Sequence, residues 1–136
     1  MLSTILSTLL LLTSTLAIAI PQPSPPNLSL TARAVDPTLV PSFGIQRGIK
    51  INGTADCAGL NGKAIPCQCP PKRSAFLAKL NEFVDQGNAL GVPISFPEGN
   101  GEQSAQERKR AFIVTLQNLE GKGKGCPLVS TTFGSL

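Results

Sequence analysis

Four cysteines constrain this chain more than any other feature, because they follow a segment typical of an export signal. They stand at Cys57, Cys67, Cys69 and Cys126. An even number of cysteines in a short exported chain predicts a disulfide framework, here of two bridges. A bridge between Cys67 and Cys69 would close a strained ring, so each is expected to pair elsewhere. We favour Cys57 with Cys67 and Cys69 with Cys126, and the crossed pairing stays open.

Residues 1–19 are predicted to be a cleaved signal peptide. An apolar run over residues 5–12 is followed by Ala17, Ile18 and Ala19, which place small residues at the two positions that a signal peptidase reads. Serine and threonine interrupt the stretch at positions 7, 8, 13, 14 and 15, whereas a membrane span needs about 20 predominantly apolar residues. We therefore expect a secreted, extracellular protein without a membrane span.

The next segment, residues 20–42, contains six prolines and no periodic apolar pattern. This composition predicts an extended linker or pro-segment, followed by one small domain over residues 43–136. Two N-glycosylation sequons are present, with Asn27 in the linker and Asn52 beside the turn-forming Gly53. Both asparagines are candidate modification sites.

The composition excludes several classes of function. The 136 residues contain no histidine, tryptophan or tyrosine. Without histidine there is no imidazole base, no Ser-His or Cys-His nucleophile and no His-ligated metal. The six phenylalanines are the aromatic side chains left to stack on a base or a sugar, so nucleic acids and carbohydrates are disfavoured as ligands. We expect no cofactor, no metal and no nucleic-acid partner.

The formal net charge of +4 favours nonspecific attraction to acidic wall polymers or anionic surfaces.

The periodicity of the apolar residues predicts an α+β fold in which two amphipathic helices pack over a small strand element. A half-buried strand is expected over residues 43–51. The first helix should run from Pro70 to Gln86, and the second should begin at a Ser104/Glu107 capping box and end at Gly121. The predicted buried stripes are Phe76, Leu77, Leu80, Phe83 and Val84 on the first helix, and Ala105, Phe112, Ile113, Leu116 and Leu119 on the second.

Several stretches have the composition of functional motifs but a simpler interpretation. The basic run at residues 108–110 fans around a helix and indicates a solvated face with pairs inside that helix. The Gly-Lys segment at residues 121–125 follows a helix C-terminus, where the dipole repels anions, so it is not a phosphate loop. A redox or zinc role for the cysteines fits neither the export signal nor the distant Cys126.

Four pieces of the chain occur in a recognisable order. They are CQCPPKRSAFLAKLN at residues 67–81, VPISFP at 92–97, TLQNL at 115–119 and GKGCPLVSTTF at 123–133. The pattern resembles a group of small secreted four-cysteine proteins of filamentous fungi, over residues 57–133. The resemblance implies a secreted fungal protein with an effector or wall-associated role. It supplies no activity and no catalytic residue.

The leading hypothesis is a non-enzymatic secreted protein that binds an extracellular host or cell-wall component; its oligomeric state is left open. A small hydrolase using the carboxylates of Glu98, Glu102 or Asp85 is the first alternative. Acid and base roles require an environment that separates the two pKa values, which a Gly-rich surface loop does not provide. A protease inhibitor presenting the loop between Cys57 and Cys67 is the second alternative, because a short closed loop is pre-organised.

Overall fold

The computed structural model describes residues 35–136. The predicted signal peptide, Asn27 and the linker up to residue 34 lie outside the described residues. The regular elements are β1 (Cys57–Ala58), β2 (Ala64–Ile65), α1 (Arg73–Gln86), β3 (Asn88–Ala89), β4 (Val92–Pro93) and α2 (Glu102–Gln117). Short 3-10 turns lie at Pro37–Leu39, Leu60–Gly62, Leu128–Ser130 and Phe133–Ser135.

Two packed helices and two short antiparallel strand pairs make this an α+β fold, as predicted. In the first pair Cys57 lies opposite Ile65, and in the second Ala89 lies opposite Val92. The second pair follows α1 directly and leads the chain towards α2. In the described part of the chain, no helix has the length and apolarity needed to cross a membrane.

Both favoured disulfides are present and use all four cysteines. Cys57 is bonded to Cys67, with their Cα atoms 4.9 Å apart, and Cys69 is bonded to Cys126, with a Cα separation of 5.6 Å. The first bridge spans 10 residues and closes the β1–β2 hairpin. The second spans 57 residues and joins the segment before α1 to the segment after α2.

Helix α1 ends where the sequence predicts. Gly87 adopts a left-handed conformation (φ 62°), and its N–H contacts the carbonyls of Phe83 and Val84, which is how glycine commonly terminates a helix. The helix begins later than predicted, at Arg73, because Lys72 is still extended (ψ 137°). The two prolines therefore precede the helix and do not form its first turn.

The predicted start and end of α2 are wrong. The helix begins at Glu102 with Gly101 as its N-cap, so Ser104 lies inside the first turn and is no cap. Glu107 does not reach back, because its carboxylate accepts a hydrogen bond from the Ser95 hydroxyl at 2.7 Å. The helix ends at Gln117, four residues before Gly121. A carboxylate at the first helical position is favourable beside the positive end of the helix dipole.

The strand predicted over residues 43–51 does not form. Only an isolated bridge between Lys50 and Cys57 occurs there. Gly44 and Gly48 have left-handed backbones (φ 69° and 82°), which turn the chain twice and prevent the alternation of a strand. Ile49 is 46% exposed, although the alternation of a strand would place it on the same side as Phe43.

The core lies between the two helices and is centred on aromatic rings. Phe112 and Phe133 have ring centroids 5.3 Å apart, and Phe43, Phe76 and Phe133 contact one another at 5.5 to 5.7 Å. Of the predicted stripes, the fully buried members are Phe76, Leu80, Phe83, Phe112 and Leu116; the partly buried ones are Leu77, Val84, Ile113 and Leu119. Ala105 is exposed, whereas Ala111 and Thr115 are buried in its place.

Residues 35–42 belong to the packed domain, although the sequence assigns them to the linker. Val35 and Val40 are only 6% and 3% exposed and lie in the core. The guanidinium of Arg73 donates hydrogen bonds of 2.7 to 3.0 Å to the carbonyls of Pro37, Val40 and Pro41. The linker prediction failed for residues 35–42 because it rested on their proline content. It did not take account of the two buried valines or of the carbonyls that accept hydrogen bonds from Arg73 on α1.

Candidate functional site

A cavity of about 250 Å³ lies against the Cys69–Cys126 disulfide. It opens between the residues that precede α1 and the segment that follows α2. We call it the disulfide cavity. Besides the disulfide, its walls include Arg47, Gln68, Lys72, Ala75, Leu119 and Glu120. No phenylalanine lines it.

The second disulfide and a glycine fix the wall contributed by the C-terminal segment. The Cys126 N–H donates to the Leu116 carbonyl at 2.8 Å, which lays the segment along the last turn of α2. Gly125 is required at this approach, because a Cβ there would collide with the Leu116 carbonyl and the Gln117 backbone. The covalent bond and the close backbone packing together give this wall a defined position.

A tight turn over residues 118–124 forms the rim of the disulfide cavity. The Lys124 carbonyl accepts from the Glu120 N–H at 2.8 Å, and the Lys124 N–H donates to the Gly121 carbonyl at 2.9 Å. The Asn118 side-chain oxygen accepts from the Gly123 N–H at 2.8 Å. The Gly-Lys segment is thus a hydrogen-bonded turn that exposes Lys122 and Lys124.

Two cations at the disulfide cavity lack a polar partner in the described part of the chain. Arg47 and Lys72 are exposed and form neither a hydrogen bond through their side chains nor an ion pair among residues 35–136. Glu120 is the carboxylate in the same walls. Arginine and lysine side chains that make no internal contact remain available to an external anion.

The basic run at residues 108–110 differs from these cations. Arg108 donates to the carbonyls of Pro97 and Gly99 at 2.6 and 2.7 Å. Lys109 donates to two carbonyls near the C-terminus, at residues 134 and 136. The expected fan around the helix is present, but these two side chains bind other segments and form no pairs within α2. Arg110 is exposed.

A second groove of about 270 Å³ lies between the segment after β4 and α2. Its walls include Ser95, Glu107 and Arg110. The Glu107 carboxylate accepts hydrogen bonds from the Ser95 hydroxyl at 2.7 Å and from the Gln103 amide at 3.4 Å. Arg110 is then the one charged wall residue of the groove without a hydrogen bond among residues 35–136, whereas the disulfide cavity has two such cations, Arg47 and Lys72.

The carboxylates proposed for hydrolysis are not assembled at either cavity. Glu98 lies in the loop before α2, Glu102 is the first residue of α2, and Asp85 lies near the end of α1. All three are exposed, and none lines the disulfide cavity or the second groove. Among residues 35–136 no group of three or more histidine, cysteine, aspartate or glutamate side chains is placed to hold a metal ion.

The loop between Cys57 and Cys67 is a β-hairpin with an exposed tip. Asn61 stands at the tip in a left-handed conformation (φ 53°), and the exposed Lys63 lies two residues further along the chain. The Lys63 carbonyl accepts from the Gly59 N–H at 2.7 Å, and the Lys63 N–H donates to Leu60. Lys63 is the basic residue of this loop, and its backbone is engaged inside the hairpin.

Asn52, the sequon asparagine within the described residues, is exposed at a turn. Gly53 completes the turn with a left-handed backbone (φ 76°). The Thr54 hydroxyl donates to the Ile51 carbonyl at 3.1 Å and accepts from the Asp56 N–H. Asn52 lies outside both cavities, so a glycan there would leave their walls unmodified.

The pKa of Asp36 is lowered from its ordinary value, because its carboxylate accepts hydrogen bonds from the Thr38 hydroxyl and the Thr38 N–H. These bonds cap the turn at Pro37–Leu39, in the segment held by Arg73. Asp36 therefore has a structural explanation and is no part of the disulfide cavity.

No sequence motif indicates Arg47, Gln68 or Lys72 as site residues. They meet residues 119–126 through the Cys69–Cys126 bridge, whose pairing the sequence left open. The favoured Cys69–Cys126 pairing was the one sequence feature that could have indicated this site, because it brings the residues around Cys69 next to those around Cys126.

No protein-family model matches this chain, and no curated protein or solved structure matches it.

Proposed function

We propose that this chain is a secreted, non-enzymatic binding protein whose ligand site is the disulfide cavity. The observation that carries the proposal is the pair of side chains, Arg47 and Lys72, that border the cavity without a partner among the described residues. The ligand is an extracellular host or cell-wall component. The resemblance to secreted fungal four-cysteine proteins supports an effector or wall-associated role.

Pre-organisation supports binding at this place. A disulfide and a close-packed glycine backbone fix one wall of the cavity, and rigid walls reduce the entropy lost when a ligand binds. The volume of about 250 Å³ is slightly below the roughly 300 to 1,000 Å³ typical of small-molecule sites. The cavity therefore suits one group of a larger ligand better than a whole drug-sized molecule.

Binding is favoured over hydrolysis because the three carboxylates proposed for catalysis line neither of the two cavities. General acid-base catalysis requires groups within hydrogen-bond reach of a bound substrate. Glu98, Glu102 and Asp85 are exposed side chains, and none of them faces a described cavity that could hold a substrate. In the disulfide cavity Glu120 is the carboxylate wall residue, and no second carboxylate stands opposite it.

Binding at the disulfide cavity is also favoured over protease inhibition by the Cys57–Cys67 hairpin. A peptide that adds to a protease as a strand must offer its backbone N–H and C=O groups. Lys63 uses both of its own groups within the hairpin. A panel of secreted proteases tests this alternative, and inhibition that disappears in Lys63→Ala would favour it over the site proposed here.

A binding assay with matched charge variants tests the proposal. The secreted, oxidised protein is incubated with purified cell-wall fractions and host extracellular extract, at low salt and at about 0.5 M salt, where surface attraction is screened. The test variant is Arg47→Ala/Lys72→Ala. The matched control is Lys63→Ala/Arg110→Ala, which removes the same charge from exposed residues outside the disulfide cavity.

We expect salt-resistant binding that the control retains and the test variant loses. Equal loss of binding in both variants would show that the interaction depends on net charge alone and would contradict a defined site. Full binding by the test variant would place the site elsewhere. Unfolding curves of all three proteins establish that the substitutions leave the fold intact.

A further inference from the structure

The positive charge at the disulfide cavity continues onto its rim. Glu120 and Gly125 line the cavity, and the turn between them carries Lys122 and Lys124, both exposed. The Lys124 stem lies over Gly121, whose Cβ position would be 3.8 Å from Lys124 Cδ. Cations thus extend from the cavity wall to the neighbouring turn, an arrangement that suits a polymer with repeated negative charges better than one small anion.

Stacking is not the means of recognition at this site. Five of the six phenylalanines, at residues 43, 76, 96, 112 and 133, contact one another in pairs inside the fold, and Phe83 is buried. None of them lines the disulfide cavity. Single-stranded nucleic acids are held largely by bases stacked on aromatic rings, so the cavity walls favour a ligand recognised by charge and hydrogen bonds.

The remaining polar wall residues suit hydroxyl groups. The Gln68 side chain provides both hydrogen-bond donors and an acceptor, and the Glu120 carboxylate provides acceptors. A sugar hydroxyl both donates and accepts, so it can pair with either residue. A lipid surface is less suited, because the large exposed hydrophobic residues of the described chain (Ile49, Leu90 and Leu136) do not line the cavity.

We infer that the ligand is an acidic polysaccharide built from uronic acids. This inference rests on the proposed function and names the ligand class of the same site. Carboxylates of the polymer pair with Arg47 and Lys72, one sugar unit enters the cavity beside Gln68, and the chain continues along Lys122 and Lys124. The lack of tryptophan and tyrosine disfavours carbohydrates that are recognised by stacking. A polysaccharide with repeated carboxylates differs, because charge-assisted hydrogen bonds to arginine and lysine recognise it without an aromatic ring.

The test uses two probes with the same sugar backbone, one with free carboxylates and one with methyl esters in their place. An oligogalacturonate and its fully methyl-esterified counterpart of equal length are titrated into the oxidised protein by calorimetry. Esterification removes the carboxylate charge and keeps the sugar backbone. We expect binding of the free acid and at least about tenfold weaker binding of the ester, which corresponds to the loss of one charge-assisted hydrogen bond.

The charge variants localise the interaction. Arg47→Ala/Lys72→Ala should weaken oligogalacturonate binding by about tenfold or more, and Lys63→Ala/Arg110→Ala should bind like the wild type. Equal affinity for the acid and the ester would overturn the inference. Tighter binding of a sulfated glycan, single-stranded DNA or anionic phospholipid vesicles would overturn it as well and would identify the competing class.

Failure of this inference is distinguishable from failure of the proposed function. Wall-fraction binding that depends on Arg47 and Lys72, without oligogalacturonate binding, overturns the ligand class and leaves the binding function standing. Absence of binding to every wall and host fraction overturns both.

Discussion

Two buried hydroxyl groups lack hydrogen-bond partners among the described residues. They are Thr115 Oγ1 on α2 and Ser130 Oγ after it, and both residues are fully buried. A buried polar atom without a partner loses its hydrogen bonds to water and forms none within the protein, which destabilises the folded state. Thr131 is equally buried, but its hydroxyl donates to the Leu128 carbonyl at 3.3 Å and accepts from the Phe133 N–H at 3.2 Å.

We predict that Thr115→Val raises the free energy of unfolding by about 1 kcal/mol, because a methyl group replaces an unpaired hydroxyl of similar size. Thr131→Val is the matched control and should lower the free energy of unfolding by about 1 to 2 kcal/mol, since it removes two hydrogen bonds. Chemical denaturation measures both values. A larger loss in Thr115→Val than in Thr131→Val would contradict the assignment of the unpaired group.

Asn52 gives a second prediction at this scale. Expressed through a eukaryotic secretory pathway, the protein should carry an N-glycan at this exposed turn. Intact mass before and after glycosidase treatment measures the modification. Asn52→Gln and Thr54→Ala should each remove it, whereas Asn52→Gln should retain any glycan at Asn27. An unmodified Asn52 in protein that is efficiently secreted would show that the sequon is not used.

At the scale of elements, Arg73 connects α1 to the segment over residues 35–42. One guanidinium binds three backbone carbonyls, which its fork of five N–H donors allows and a lysine ammonium does not match. The Val35 N–H adds a bond to the Asn81 side chain on the same helix. The N-terminal segment is therefore held by α1 from both of its ends.

We predict that Arg73→Ala loosens this segment and lowers the free energy of unfolding by about 1 to 2 kcal/mol. Limited proteolysis with mass mapping should show faster cleavage within residues 35–42. Arg73→Lys should give an intermediate rate, and Arg110→Ala, which removes an exposed arginine from α2, should cleave like the wild type. An unchanged cleavage pattern in Arg73→Ala would contradict the role of the guanidinium.

Helices were more predictable from the sequence than their boundaries. The stripe on α1 and its end at Gly87 follow from local periodicity and glycine chemistry. The start of α2 was wrong because Ser104 and Glu107 match a capping box, while the chain enters the helix earlier at Gly101. A pattern of four residues cannot specify the direction of the preceding loop, which Arg108 holds by two carbonyls.

The strand and the site were unpredictable for a different reason. The alternating residues over 43–51 match a strand, but two left-handed glycines fold the segment back so that it reaches the core through Phe43. Arg47 becomes a cavity residue only in that folded-back arrangement. Such contacts between residues distant in sequence depend on tertiary packing and leave no local signal.

At the scale of the whole molecule, the two disulfides have different tasks. In the chain-entropy description, closing the 10-residue loop is worth about 3 kcal/mol and the 57-residue loop about 4 kcal/mol. The shorter bridge stabilises one hairpin. The longer bridge joins both ends of the helical pair and forms a wall of the disulfide cavity.

We predict that Cys69→Ala/Cys126→Ala lowers the unfolding temperature more than Cys57→Ala/Cys67→Ala, because it releases the longer loop. The Cys69→Ala/Cys126→Ala variant should also lose ligand binding under conditions in which it remains folded, since a cavity wall is released. Circular dichroism melting and the wall-fraction assay measure the two effects. Retained binding after loss of the longer bridge would separate the binding site from the cavity.

The most direct measurement is an NMR titration of the isotope-labelled, oxidised protein with the wall or host fraction that it binds. We predict amide shift changes that cluster at residues 47, 68–75 and 119–126, around the disulfide cavity. The same titration of Arg47→Ala/Lys72→Ala should leave these amides unmoved. Shift changes centred instead on Glu98 and the start of α2 at Glu102, or on the tip of the Cys57–Cys67 hairpin, would contradict a binding site at the disulfide cavity.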